Sequence, residues 1–451
     1  MGEPRSGPSG APAVAAGERA DAVGRRPAAR PWTAVRSAGL MGAGTLLVGA
    51  AGYAFIALAG NTLPPAETAA VSSFYMLVNI LGPGVFMALE QETNRITSSA
   101  GGDRSIRGDV VRVAGLLGTV LLVLAVVAPF LVRGPLLGHW DLFAGLVVSA
   151  VTAAAVFFVR GALAGRRAFT GYAATLAAEG LMRLLPALGI AAAGLAAVGS
   201  YGLAFALGSG FGAIAGLLWL RPTSSGVARE VRAPERGPAG GLAPLVGATL
   251  TAQLVANLAP VVVTARLVDD AATAAAFAAA FVLVRVPLFV FSPVQAAVVP
   301  AVAAAVAARD ECKVRRIVRA GGIAALALGL AGAAALSVLG PWAVRTLLGA
   351  KVPVSGAVLG LLGAGTALLI LAQVLQAALV ALRAHAAATG WWQASAAVLV
   401  VFLVLPVGPV GAAVAGQVAA SAVVVLGMLA ALRSRLRRCG HVSESSGRSR
   451  A

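Results

Sequence analysis

Apolar runs of 20 or more residues recur along nearly the whole 451-residue chain, and this constrains its fold more than any motif does. At 1.5 Å per residue, a helix needs about 20 apolar residues to cross roughly 30 Å of hydrocarbon. The chain is 59% apolar and 12% charged, and a soluble domain of this size could not cover its surface with so few charges. The expected class is therefore an all-α membrane protein. The runs predict twelve spans over roughly 37–60, 66–90, 110–132, 140–163, 169–194, 198–220, 241–266, 272–300, 316–340, 354–382, 388–408 and 410–432.

A net charge of +18 would suggest nucleic acid in a soluble protein, but here the arginines sit between apolar runs and at the two ends, a pattern that encodes topology. With the N-terminus inside, 29 of the 35 basic residues fall in cytoplasmic segments, Arg160, Arg166 and Arg167 among them. Four lie outside (Arg133, Arg266, Arg345, Lys351), and two, Arg183 and Arg285, lie within spans. A missed or invented span in mid-chain would collapse this asymmetry, so charge supports the count of twelve. All six tryptophans fall at or near predicted span ends, where an indole favours the headgroup region. The expected location is a bacterial plasma membrane, with both termini cytoplasmic. No nucleic-acid partner is expected.

Residues 1–36 read as a disordered basic tail and not as a signal peptide, because the first apolar run is too long for one. Residues 37–220 and 241–432 read as two six-helix bundles joined by a cytoplasmic linker, 221–240, with a second basic tail at 433–451. Segment 72–86 shares its rhythm with 279–291, and 110–118 with 317–325, an offset of about 206 or 207 residues. An offset of six spans keeps both halves in the same orientation, which predicts a parallel repeat about an axis along the membrane normal.

Two bundles of six suggest a transporter with its path between them near the midplane. Four spans carry polar residues on one helical face: Ser72, Tyr75, Asn79 and Pro83; Thr249, Gln253, Asn257, Pro260 and Thr264; Phe281, Arg285, Leu288, Ser292 and Gln295; and Thr366, Gln373, Gln376 and Arg383. Such residues either hydrogen-bond between helices or line a cavity, and four matching faces favour the cavity. Pro260 is expected to bend its helix. Arg285 is the sharpest single residue, since a charge near the middle of a span costs at least roughly 2.5–3.5 kcal/mol. No acid lies within one helical turn of it, which leaves an anion contact, an interhelical pair or a snorkelling side chain as readings. Its repeat mate is Val78 or Asn79.

Glu179 and Arg183, spaced i, i+4, read as a neutralising pair or as a switchable carboxylate for ion coupling. Glu90, Glu92 and Arg95 read as a solvated helix end or a cytoplasmic gate. Cys312 and Cys439, the only cysteines, suggest neither a disulfide framework nor a metal site. No phosphate-binding loop or HExxH is present, so neither an ATP-driven pump nor an enzyme is expected, and no cofactor.

On the 6+6 repeat and on two segments, FYMLVNILGPGVFMALEQETNR (74–95) and VLVRVPLFVFSPVQAAVVP (282–300), the chain resembles the polysaccharide flippases of the multidrug/oligosaccharidyl-lipid/polysaccharide exporter superfamily. The resemblance covers about 37–432. It implies a MATE-like V of two bundles around a central cavity and export, by alternating access, of a lipid-linked oligosaccharide or related surface-polysaccharide intermediate. It implies as partners membrane lipids, a polyprenyl-diphosphate-linked sugar, and glycosyltransferases or a polymerase of the same pathway. Two other readings remain: a cation-coupled exporter of small amphipathic compounds with Glu179 as coupling acid, and a non-transporting scaffold for polysaccharide assembly acting through its basic tails.

Overall fold

A computed structural model describes Gly2 and residues 31–99, 107–220, 242–308 and 310–448; side chains at 31–38, 107–110, 292–297, 299–300 and 436–448 are not described. The basic tail 3–30, most of the segment 101–109 and the linker 221–240 lie outside the described residues. The described regular structure is helical: α1 (Pro31–Thr62), α2 (Pro65–Leu81), a π-helical turn (Gly82–Phe86), α3 (Met87–Ser99), α4 (Arg107–Arg133), α5 (Trp140–Gly165), α6 (Phe169–Ala192), α7 (Val198–Leu217), α8 (Leu242–Arg266), α9 (Ala271–Leu283), α10 (Val286–Ala307), α11 (Glu311–Thr346), α12 (Gly356–Ala381), α13 (His385–Val404) and α14 (Pro409–Arg448). Twelve segments among the described residues are long and apolar enough to cross a membrane, and each coincides with one of the predicted runs. The chain is a multi-pass helical membrane protein.

The helices pack in two equivalent sets. In the first half α1 packs on α6, α5 on α7, α6 on α7, α3 on α5 and α4 on α5. In the second, α8 packs on α13, α12 on α14, α13 on α14, α10 on α12 and α11 on α12. Each of these pairs has its mate when the chain is advanced by six spans, so the parallel repeat, faint in sequence, is evident in packing. The halves meet through α2 against α8 and α9, and through α1 against α9 and α10.

Two predicted spans are not simple helices. The run 272–300 is two helices, because Pro287 has no N–H for the carbonyl of Leu283; α9 ends there, and the amides of Val284 and Arg285 donate to the carbonyls of Ala280 and Val282, respectively. In the repeat mate, Pro83 removes the bond to Asn79, and the side chain of Asn79 donates to the carbonyl of Tyr75 at 2.8 Å. The helix loosens there into the π-helical turn and continues to Ser99, beyond the predicted end at 90. At this turn the hydroxyl of Thr249, from the opposite half, donates to the carbonyl of Gly84 at 2.6 Å. By contrast, α8 runs unbroken through Pro260.

The end of the molecule bearing the start of α1 is here called the basic end, and the opposite one the far end. At the far end the halves are in direct contact: the amide of Asn61 donates to the carbonyl of Leu347 at 3.1 Å. Gly60 lies backbone to backbone with Gly349, whose φ of 70° suits glycine. Nearby Ala69 packs with Ala274 and Ala275. Toward the basic end, Gly39 and Gly42 of α1 and Gly247 of α8 have no atom within reach of an added methyl group.

Candidate functional site

The two broken helices come together at mid-depth between the halves, and Arg285 stands at the break between α9 and α10. Its guanidinium lies 4.6 Å from the ring centre of Phe281, one turn earlier, and Nη1 donates to Oδ1 of Asn257 on α8 at 2.8 Å. Asn257 is held in that orientation by its own amide N–H groups, which donate to Oε1 of Gln253 at 2.8 Å and to the Gln253 carbonyl at 3.0 Å. Across the junction Sδ of Met76 lies 4.0 Å from Nη1. Among the described residues no carboxylate lies within ion-pairing distance of Arg285. Its neighbours are an amide, an arene and a thioether, which orient the cation without neutralising it.

The facing wall comes from α1 and α2. Gly49 and Gly52 form two notches on α1: the ring of Phe289, one turn after Arg285, fills the first, and the hydroxyl of Tyr75 lies against the second. Between them projects Tyr53, its ring edge-on to Phe289 at 5.7 Å. Its hydroxyl is buried and has no hydrogen-bond partner among the described residues. An unpaired buried hydroxyl costs about 1–3 kcal/mol. Through Phe289, Tyr53 is seated against the helix that Arg285 begins.

A second polar cluster lies inside the first half. Glu179 does not pair with Arg183 alone. Its carboxylate receives Nη2 of Arg183 at 2.6 Å, the hydroxyl of Ser209 at 2.8 Å, and Nη2 of Arg160. Arg160, placed by its sequence position among the cytoplasmic arginines, is in fact buried within α5 at 5% exposure and also donates to Thr175 at 2.9 Å. The cluster extends toward the basic end, where the hydroxyl of Tyr172 donates to Glu90 at 2.8 Å. Toward mid-depth the guanidinium of Arg183 lies 4.2 Å above Phe205, whose ring packs edge-on to Tyr75 at 5.4 Å.

The structure thus brings together Arg285, Asn257, Gln253 and Tyr75, with Asn79 half-buried one turn further along α2. It does not bring Gln376 to them, because Oε1 of Gln376 accepts from the indole of Trp392 at 2.9 Å within the second half. Trp392 is correspondingly a buried packing residue at 6% exposure, and not the headgroup anchor that its position in the sequence suggested. Gln373 is half-buried on α12. The side chains of Ser292 and Gln295 lie outside the described residues. Glu92 and Arg95 form a two-bond pair at 2.8 and 3.1 Å within α3, three residues apart. Sequence reasoning missed Tyr53, Phe289 and Arg160. One signal was available for the first: all four tyrosines (Tyr53, Tyr75, Tyr172, Tyr201) lie in the first half.

The fold can be compared with solved ones on this basis. It is the MATE fold. An inward-facing multidrug resistance MATE transporter superposes with a TM-score of 0.66 at 16% identity, covering 88% of this chain and 96% of that one. Its outward-facing conformation gives 0.60 at 14% identity, covering 90% and 96%. The lipid II flippase MurJ, in an inward closed conformation, gives 0.58 at 13% identity, covering 89% of each chain. In sequence, the chain is similar to two Mycobacterium tuberculosis proteins, described as uncharacterized proteins MT1558/MT1560 and Rv1510. Each is 28% identical over 384 residues, 81% of this chain and 84% of the relative. No protein-family model matches the sequence.

Proposed function

We propose that the protein is a flippase that moves a lipid-linked oligosaccharide or related surface-polysaccharide intermediate across a bacterial plasma membrane by alternating access. The observation that carries this reading is Arg285: a cation at the mid-depth junction of two mobile halves, oriented by Asn257 and Gln253, with no described acid to neutralise it. A lone cation there is stabilised by an arriving anion, and a polyprenyl diphosphate supplies one on a lipid. The lipid II flippase among the structural neighbours supports a lipid-borne substrate by analogy of fold. The basic end is then cytoplasmic and the far end external, and the structure corresponds to the state that loads from inside.

Cation-coupled export of small amphipathic compounds is less well supported. Its coupling acid would be Glu179, whose two carboxylate oxygens are already taken by two guanidiniums and a hydroxyl, leaving a cation or proton to meet two positive charges. The scaffold reading rests on terminal tails that lie largely outside the described residues.

The test of substrate class is headgroup dependence in proteoliposomes. Fluorescent polyprenyl-diphosphate sugar and a polyprenyl sugar with an uncharged linkage are compared for exposure to an impermeant reductant. The diphosphate lipid is expected to cross at least ten-fold faster; equal rates would remove the anionic substrate.

A further inference from the structure

We propose that the hydroxyl of Tyr53 is the second hydrogen-bond donor for the anionic group received by Arg285, so that a phenol of the first half and a guanidinium of the second close on one phosphate. The inference deepens the flippase reading and rests on it. Three observations converge. The hydroxyl of Tyr53 is buried and unbonded although the ring around it is well seated, with Phe289 against one face of α1 and Tyr75 against the next. Phe289 follows Arg285 by one helical turn, so the contact that seats Tyr53 also fixes it relative to the guanidinium. Arg285 commits Nη1 to Asn257, while a guanidinium carries five N–H groups and a phosphate oxygen accepts from more than one donor.

The division of the donors between the halves has a consequence for transport. Tyr53 belongs to α1 and Arg285 to the α9–α10 break, so a bound phosphate ties the halves together, and opening the junction parts the two donors and weakens the grip. A purely structural Tyr53 would need only its ring, which phenylalanine supplies equally. Tyr53→Phe therefore separates the two roles, since it removes one oxygen and keeps the contact with Phe289.

The experiment measures binding to the full-length protein in lipid nanodiscs of three probes: polyprenyl diphosphate, polyprenol and inorganic pyrophosphate. Tyr53→Phe is expected to weaken polyprenyl diphosphate about ten-fold, the scale of one hydrogen bond to a charged group, and to leave polyprenol unchanged. Adding Tyr53→Phe to Arg285→Ala should cost much less than Tyr53→Phe alone, because the two donors share one anion. A parallel loss for pyrophosphate assigns recognition to the free diphosphate, and a loss confined to the lipid assigns it to the lipid-borne headgroup; both support the donor pair. If Tyr53→Phe binds like wild type while Arg285→Ala is weakened, or if Tyr53→Phe weakens polyprenol equally, the role of Tyr53 is overturned and the flippase reading stands. If wild type binds polyprenyl diphosphate no better than polyprenol, the reading beneath it falls. Unchanged thermal unfolding of Tyr53→Phe is the control for packing.

Discussion

Glu179 meets two guanidiniums and a hydroxyl in a place that water does not reach, and the balance among them dictates what its loss would do. Removing the acid takes from the buried Arg160 and Arg183 the carboxylate that they share, a loss that costs about 3–5 kcal/mol. Glu179→Gln should therefore lower the unfolding midpoint sharply in thermal denaturation, and an unaltered midpoint would return Glu179 to the role of a free coupling acid. Asn257 carries no charge: its oxygen orients Arg285 and its amide bonds only to Gln253 one turn earlier. Asn257→Leu should leave folding nearly intact yet weaken diphosphate binding about ten-fold, read by the nanodisc titration. Arg285 and its polar neighbours on α8 were legible in the sequence because a charge or an amide in an apolar run stands out. Arg160 was not, since an arginine six residues before a basic pair reads as part of the interface until Glu179 is seen to face it. Tyr53 was not legible because its meaning lies in an absent hydrogen bond, a fact that only three-dimensional packing supplies.

At the level of helices, the instructive positions are the two prolines that interrupt the second helix of each half. The sequence reading marked Pro83 but not Pro287, and the apolar period gave no reason to end α9 at Leu283, because hydropathy does not record a missing amide. The break is what exposes Arg285 at a helix start, and the π-helical turn at Gly82–Phe86 is what presents the carbonyl of Gly84 to Thr249. That bond crosses the halves, so Thr249→Val should cost about 1 kcal/mol in the state observed here and loosen the junction. Hydrogen exchange of the amides around residues 82–86 should rise in this variant, and exchange like that of wild type would mean that the π-helical turn is held by α2 alone. The repeat itself was visible in two short segments and became complete only as matched helix pairs, because packing tolerates substitutions that erase sequence similarity.

Across the whole molecule, the contact between the halves at the far end includes one with no side chains in it. A Cβ on Gly349 would lie 2.3 Å from the carbonyl oxygen of Gly60, and its φ of 70° is itself unfavourable for alanine. Gly349→Ala should part the halves at that end and shift the population toward the outward-open form. A cysteine introduced at Thr68, buried beside this contact, would then label faster with an impermeant maleimide added from outside; an unchanged rate would place the closure elsewhere. The twelve spans and their order follow from hydropathy and charge, whereas the pairing of the helices and the contact between the halves at the far end are encoded in no periodicity. The proposed role of Arg285, a cation between the two halves that receives an anionic lipid headgroup, can be tested in one assay. Proteoliposomes holding fluorescent polyprenyl-diphosphate sugar in both leaflets are treated with an impermeant reductant, with wild type, Arg285→Ala and empty vesicles compared at equal protein insertion. Wild type should lose nearly all its fluorescence, while Arg285→Ala and empty vesicles should each keep about half, the share of the protected leaflet. Full loss in Arg285→Ala would contradict the role given to Arg285, and half retained in wild type would contradict flipping itself.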